Sequence, residues 1–297
     1  NIKNFYFDIT SFKKTSEVIL KIKPDFIFHL AAQAIVSDSY KKPKQTWLTN
    51  VIGTQAVLES LRVLNSKCIC IFITSDKCYE NNELIRGYKE SDRLGGSDPY
   101  SSSKASCELL IKSYYESFFS KHNKIKIATA RAGNVIGGND WSELRLMPDI
   151  VKSWSKNLKV NIRNLNSTRP WQHVLEPING YLKLASKLKT IKSINGQSYN
   201  FGPSEIDNFS VEFILKKCSK LWDNKKWKIT KNKFKESTLL NLNSDKAYKH
   251  LKWKQSLNIN QTLKLTINWY KKYFDDEKNI IKNSYEQINY FENLKKK

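Results

Sequence analysis

The chain has 297 residues, 40% of them hydrophobic, so it can bury a core and wholesale disorder is not expected. Its net charge of +23 comes mostly from lysines scattered along the whole chain, which argues against a nucleic-acid-binding stripe. No apolar run reaches the ~20 residues that span a bilayer, so we expect no membrane span. The five cysteines form no CxxC motif, so we expect no metal site and reduced thiols in the cytoplasm.

Four apolar segments predict the strands of one buried sheet, at residues 25–32, 68–74, 125–130 and 198–202. Helical patterns at 43–64 and 99–119 alternate with them, and this alternation predicts an α/β fold with a doubly wound parallel sheet. After residue 138 the rhythm changes to short elements, Trp residues and turns. Two later helices are predicted at 210–221 and 258–273.

The most specific local pattern is Tyr100-Ser-Ser-Ser-Lys104. Asp98 is a good helix N-cap and Pro99 suits the first turn, so Tyr100 and Lys104 should share one helix face. A nearby ammonium lowers the pKa of a phenol from about 10 toward neutrality, and the phenolate can then take a proton from a substrate hydroxyl. The alternative is an ordinary helix face, because YxxxK occurs often by chance.

Polar residues follow two of the predicted strands. Residues 74–77 (TSDK) come after the second strand, and residues 132–134 (AGN) follow the third. Ligands of open parallel sheets bind outside the carboxyl ends of the strands, so these side chains predict a site. The alternative is that they only form turns into the next elements.

Several motifs in this order resemble those of the extended short-chain dehydrogenase/reductases that act on sugar nucleotides. They are HLAAQ (29–33), NVIGT (50–54), TSDKCYEN (74–81), DPYSSSK (98–104) and RAGNVIGG (131–138). Within that family, TSDKCYEN, GGNDW (137–141) and RPWQHVLEP (169–177) are similar to the CDP-glucose 4,6-dehydratases. The resemblance runs from about Asp8 to Tyr270, nearly the whole chain.

The resemblance implies a lyase that dehydrates CDP-glucose with bound NAD. C4 of the glucose is oxidised, water leaves across C5 and C6, and the same hydride returns to C6, giving CDP-4-dehydro-6-deoxyglucose for deoxysugar and O-antigen biosynthesis. It also implies a cytoplasmic homodimer or higher homo-oligomer with no nucleic-acid or membrane partner. Alternatives are another sugar-nucleotide dehydratase or epimerase, or a non-catalytic remnant. An epimerase needs no acid–base pair for elimination, so the pair at 76–77 argues against it.

The resemblance also implies roles for the catalytic residues. Tyr100 matches the base for the C4 hydroxyl, Lys104 the residue that holds the nicotinamide ribose and tunes that Tyr, and Ser75 the hydroxyl at the C4 oxygen. Asp76 matches the acid that protonates the leaving C6 hydroxyl. Lys77 stands in the place of the C5 base, and we expect burial and Lys104 to lower its pKa.

The remaining matches are binding residues. Asn134 and Arg169 match residues near the sugar and the diphosphate. Asp8 matches the acidic residue that hydrogen-bonds adenine. The segment under the nicotinamide half is matched by Leu30, Ala31 and Ala32.

The resemblance implies a Rossmann-like NAD-binding domain at residues 1–139 and about 178–202, a smaller substrate-binding lobe at 140–177 and 203–275, and a charged tail at 276–297. The family opens with a strand and a GxxGxxG turn that binds the pyrophosphate, and no such turn precedes Asp8. We therefore expect the first strands to be missing from this sequence, which begins without Met, and NAD binding by the 297-residue chain to be weak.

Overall fold

The structure is a computed structural model that describes residues 2–204, 208–223, 225–230 and 239–296. Its α-helices are α1 (Phe12–Ile22), α2 (Val36–Lys41), α3 (Pro43–Trp47), α4 (Gly53–Val63), α5 (Pro99–Tyr114), α6 (Leu146–Ser155), α7 (Leu175–Thr190), α8 (Val211–Leu221), α9 (Asp245–Leu251), α10 (Ile259–Asp275) and α11 (Ile280–Lys295). Its strands are β1 (Phe26–His29), β2 (Cys68–Ile73), β3 (Ile125–Ala132), β4 (Val135–Ile136), β5 (Val160–Ile162), β6 (Thr168–Arg169), β7 (Gln172–His173), β8 (Ser198–Phe201), β9 (Phe209–Ser210) and β10 (Trp227–Ile229).

The main sheet confirms the predicted parallel arrangement. Its strands lie in the order β1, β2, β3, β8, and every pairing between them is parallel. In the described part of the chain, β1 forms one edge of this sheet. The predicted helices at 43–64 and 99–119 are also present, and each contains a π-helical segment, Leu48–Ile52 and Tyr115–Phe119.

Helices cover both faces of the sheet because successive strand residues point to opposite sides. On one face, Cys70 and Phe72 of β2 pack with Leu58 and Leu61 of α4. On the other face, Ile71 belongs to a cluster with residues of α7, α9 and β8. A fully buried aliphatic side chain contributes about 1.5–3 kcal/mol, so these two layers hold the sheet in place.

A second core is built by the part of the chain after β4. Trp154 of α6, Leu215 of α8 and Ile267 of α10 are buried together there, which agrees with a smaller second lobe. Trp253, which we placed in that lobe, packs in the sheet core instead, because its ring meets Phe201 of β8 at 5.1 Å between centroids. The domain boundaries as a whole stay a prediction.

The charged segment after residue 275 is largely the helix α11. It packs on α10 through polar contacts, among them the hydrogen bond from Gln287 Nε2 to the Leu265 carbonyl at 2.9 Å. Within the described residues, no helix is both long and apolar enough to cross a bilayer.

Candidate active site

A crevice of about 850 Å³ opens at the carboxyl ends of β2 and β3, where residues of the smaller lobe face the sheet. Most of the residues predicted for catalysis and substrate binding line it together: Ser75, Asp76, Lys77, Tyr100, Asn134 and Arg169. The carboxyl ends of neighbouring parallel strands meet at one edge of a sheet, which is why residues so distant in sequence converge here.

Ser75 makes the chain turn immediately after β2. It caps a 3₁₀ turn over Asp76–Cys78, and its Oγ accepts the Lys77 N–H at 3.2 Å. The same hydroxyl donates to Asp76 Oδ1 at 3.0 Å. Adjacent residues of an extended strand would point to opposite faces. The turn removes that alternation, so Asp76 and Lys77 both reach the crevice.

Asp76 is a buried carboxyl whose environment favours the protonated form. It is 2% exposed, and its Oδ2 has no hydrogen-bond partner in the described structure. Burial raises the pKa of Asp76, although Lys77, Ser75 and Arg169 act in the opposite direction. A carboxyl with a raised pKa is suited to donate a proton near neutral pH.

Helix α5 presents Tyr100 as its sequence predicted. The Asp98 side chain accepts the Ser101 N–H at 3.0 Å, and Pro99 stands in the first turn. Burial raises the pKa of Tyr100 to about 12, against the effects of the Ser75 hydrogen bond and the Arg145 charge.

Lys104 follows one turn along α5 from Tyr100. Its Nζ is buried and donates to the Ile73 carbonyl at 3.3 Å, and burial lowers the pKa of this ammonium. Desolvation of the phenol outweighs the groups that favour the phenolate, and the Lys104 ammonium faces a strand carbonyl. The lowering of the Tyr100 pKa by Lys104 therefore stays a prediction.

Of the residues predicted to bind the cofactor, Tyr100 lines the crevice, whereas Asp8 and the segment from Leu30 to Ala32 lie outside its described lining. Asp8 is exposed, and its Oδ1 accepts the Thr10 N–H at 2.9 Å and the Thr10 hydroxyl at 2.8 Å. At the end of β1, Leu30 is 58% exposed, Ala31 is exposed and Ala32 is half-buried. An exposed apolar segment beside a sheet edge fits a flat ring, and an exposed carboxylate fits a hydroxyl or amine donor.

The two predicted substrate-binding residues line the crevice from different elements. Asn134 follows β3 with a left-handed φ of 45°, a conformation that Asn tolerates better than most residues. Arg169 of β6 is 8% exposed and donates to the Thr168 carbonyl at 2.7 Å. Its positive charge is close enough to Asp76 to lower the pKa of that carboxyl.

The sequence interpretation missed a buried ion pair beneath the crevice. Glu108 accepts from Arg131 Nε at 2.8 Å and Nη2 at 2.7 Å, and Arg131 Nη1 donates to the Tyr79 hydroxyl at 2.7 Å. This links α5 and β3 to the residue that follows the Asp76–Cys78 turn. Glu108 lies four residues after Lys104 on the same helix face, so this spacing could have indicated that Glu108 also lies near the site.

Two further observations limit the chemistry of the described residues. No group of three or more His, Cys, Asp or Glu side chains among them could hold a metal ion. The cysteines are free and buried, and burial raises the pKa of the Cys68 thiol to about 12. The crevice lining includes the hydroxyls of Ser75 and Tyr100, the Asp76 carboxyl and the Lys77 amine.

Comparisons with known proteins find similar sequences over most of the chain. The family described as GDP-mannose 4,6 dehydratase matches residues 1–266. The chain is 41% identical over 280 residues to the CDP-glucose 4,6-dehydratase of Salmonella typhimurium, covering 92% of this chain and 78% of that protein.

Solved structures show the same fold at low identity. The dTDP-glucose 4,6-dehydratase of Bacillus anthracis in complex with NAD superposes with a TM-score of 0.76 at 21% identity, covering 90% of this chain and 78% of that one. The UDP-glucuronic acid 4-epimerase of Bacillus cereus, solved with UDP-glucuronic acid and NAD, gives 0.77 at 22% identity, covering 90% and 80%.

Proposed function

The chain belongs to the GDP-mannose 4,6-dehydratase family, and we propose that it is an NAD-dependent CDP-glucose 4,6-dehydratase. The observation that carries this proposal is the buried acid Asp76, which stands beside Lys77 in one turn and faces the crevice that Tyr100 also lines. Oxidation at C4 needs a base, and elimination across C5 and C6 needs an acid and a second base. This constellation supplies candidates for all three.

In the proposed reaction, Tyr100 takes the proton of the C4 hydroxyl while Ser75 holds the C4 oxygen. The Ser75 hydrogen bond and the Arg145 charge both favour the phenolate that this step requires. NAD⁺, when bound, supplies the acceptor for the C4 hydride, and the segment after β1 together with Tyr100 and Lys104 would hold it. A protein group placed in this way typically contributes about 10²- to 10⁴-fold to the rate.

In the elimination, Asp76 delivers a proton to the leaving C6 hydroxyl, which its raised pKa favours. Lys77 takes the C5 proton. Its side chain is half-buried at the mouth of the crevice, so it can reach a substrate carbon. We propose that Asn134 contacts the sugar and that Arg169 contacts the diphosphate, because a guanidinium and phosphate oxygens form strong charge-assisted hydrogen bonds.

The test is incubation of the protein with NAD and CDP-glucose, followed by mass spectrometry of the nucleotide sugar. The proposed lyase gives a product lighter by one water, whereas an epimerase gives a product of unchanged mass. UDP-, GDP- and dTDP-glucose serve as matched substrates. Faster water loss from one of these would overturn the assignment of CDP-glucose, and retention of water in all of them by protein saturated with NAD would overturn the dehydratase assignment.

We also propose that the protein is a cytoplasmic homodimer or higher homo-oligomer. Large apolar side chains are exposed along the neighbouring helices α3 to α5 and their π-helical extensions, and exposed apolar surface marks interfaces. Among them, Trp47 is 39%, Ile52 40% and Leu109 59% exposed. Light scattering should give a mass of at least two chains for the wild type and of one chain for Leu109→Glu.

A further inference from the structure

Gln172 of β7 is a fully buried side chain that joins the ends of two strands of the main sheet. Its exposure is 0%, and its Nε2 donates to the carbonyl of Gly133 at 3.2 Å and to that of Phe201 at 2.7 Å. Both neighbours are acceptors, so only the NH₂ end of the amide can face them.

The position of this amide is set by the sheet. The register of β3 with β8 ends at Ala132 and Phe201, so the Gly133 and Phe201 carbonyls lie where the ladder stops. There the side-chain amide of Gln172 donates to both carbonyls, in the place where a further backbone N–H would continue the ladder. Its own backbone N–H bonds the Asn134 carbonyl at 3.3 Å, which fixes the same loop a second time.

Gly133, whose carbonyl accepts a hydrogen bond from Gln172, forms the wall that packs directly against the Asp76 carboxyl. A Cβ on Gly133 would lie 2.0 Å from Asp76 Oδ2 and 2.5 Å from Cγ. Oδ2 is the oxygen without a hydrogen-bond partner in the described structure. The position of the Gly133 backbone therefore determines how much space surrounds Asp76 Oδ2 and how much water can reach it.

We propose that Gln172 is a positioning residue for the elimination step: by tethering Gly133 to the end of β8 it keeps the Asp76 carboxyl dry and aimed at the substrate. This inference rests on the proposed dehydratase function. It concerns the second half of the reaction, because the Gln172 amide binds the Gly133 and Phe201 carbonyls and does not itself bind Tyr100 or Ser75.

The charge balance around Asp76 makes the effect measurable. Among the described residues, the charged and titratable groups that act on this carboxyl or are acted on by it include Lys77, Cys78, Tyr100, Arg169 and Tyr181. Burial opposes the lowering effect of Lys77 and Arg169 and raises the pKa of Asp76. If the wall moves and water enters, burial loses this influence, and the carboxyl ionises at lower pH.

The experiment is Gln172→Met in the whole protein with NAD and CDP-glucose, because Met is similar in length but cannot donate to the two carbonyls. A misplacement of about 1 Å costs on the order of 100-fold, so we expect about that loss in kcat, with KM within about twofold. C4 oxidation should persist, so NADH absorbance should accumulate while water loss slows. The alkaline limb of the kcat profile should move to lower pH, since activity is lost as Asp76 ionises.

The matched control is Gln287→Met, which removes a similar bond from Gln287 Nε2 of α11 to the Leu265 carbonyl of α10, outside the lining of the crevice. It should leave kcat and the pH profile unchanged. Wild-type kcat in Gln172→Met, or equal slowing of C4 oxidation and water loss, would overturn the proposal.

Gly133→Ala keeps the test open if Gln172→Met does not fold. It acts on the same wall and should also accumulate NADH without product, and normal elimination in that variant would contradict the proposal. A wild type that binds NAD but forms neither NADH nor product from CDP-glucose would instead contradict the proposed function.

Discussion

The buried pair of Glu108 and Arg131 should be the charged contact whose loss costs the most stability. Their side chains are 2% and 3% exposed, and the Glu108 carboxylate also accepts from the hydroxyls of Thr74 at 2.5 Å and Thr129 at 3.0 Å. Glu108→Gln keeps the shape but leaves the Arg131 charge buried without its counter-charge. Removing one partner of a buried pair costs about 3–5 kcal/mol.

That cost can be expressed as a melting temperature. The unfolding entropy of globular proteins is about 2.1 cal/mol/K per residue, or roughly 620 cal/mol/K for 297 residues. A loss of about 3–5 kcal/mol therefore lowers Tm by roughly 5–8 °C. Thermal unfolding followed by circular dichroism measures this directly.

The control is Glu116→Gln, whose partner Lys112 lies at 3.9 Å with both side chains more than 60% exposed, at 63% and 70%. Exposed pairs contribute less than about 1 kcal/mol, so this variant should melt within about 2 °C of the wild type. The double variant Glu108→Leu/Arg131→Met should recover part of the loss, because it removes the buried charge as well. If Glu108→Gln melts like Glu116→Gln, the reasoning is wrong.

The pair should also make stability depend on pH. Burial alone would raise the pKa of Glu108, but the Arg131 charge and the hydrogen bonds of Arg131, Thr74 and Thr129 hold it below its ordinary value of 4.5. A lowered folded-state pKa gives stability that is present above pH 4.5 and is lost as pH falls through the folded-state value. The difference in the free energy of unfolding between the wild type and Glu108→Gln should therefore become smaller only at acidic pH.

The remaining predictions concern catalysis. Tyr100→Phe should lose about 10²- to 10⁴-fold in kcat while CDP-glucose still binds, since it removes only the proton acceptor; near-normal turnover would contradict the assignment. In D₂O, Lys77→Met should still form NADH, but exchange of the C5 hydrogen with solvent should collapse. Exchange at the wild-type rate would show that Lys77 is not the C5 base and that another group at that end of the sheet takes this proton.

Strand and helix patterning could be predicted because it depends on neighbours in sequence. The run from Cys68 to Ile73 is apolar because both faces of β2 are covered, and Asp98 with Pro99 marks the start of α5. The polar residues at the ends of β2 and β3 also predicted the crevice, because parallel strands bring their carboxyl ends to one edge of the sheet. The roles of Ser75, Asp76, Lys77, Tyr100 and Lys104 came from the resemblance, and stay predictions.

Only the tertiary structure decided the electrostatics of the site. From spacing alone, Lys104 should lower the pKa of Tyr100, yet the fold buries both groups and turns the ammonium to the Ile73 carbonyl. Desolvation is a property of everything that surrounds a group, and four-residue spacing does not contain it. In the same way, the sequence shows only that Gln172 follows Trp171. The fold alone places its amide against the carbonyls of Gly133 and Phe201, because these hydrogen bonds join residues 29 to 39 positions apart.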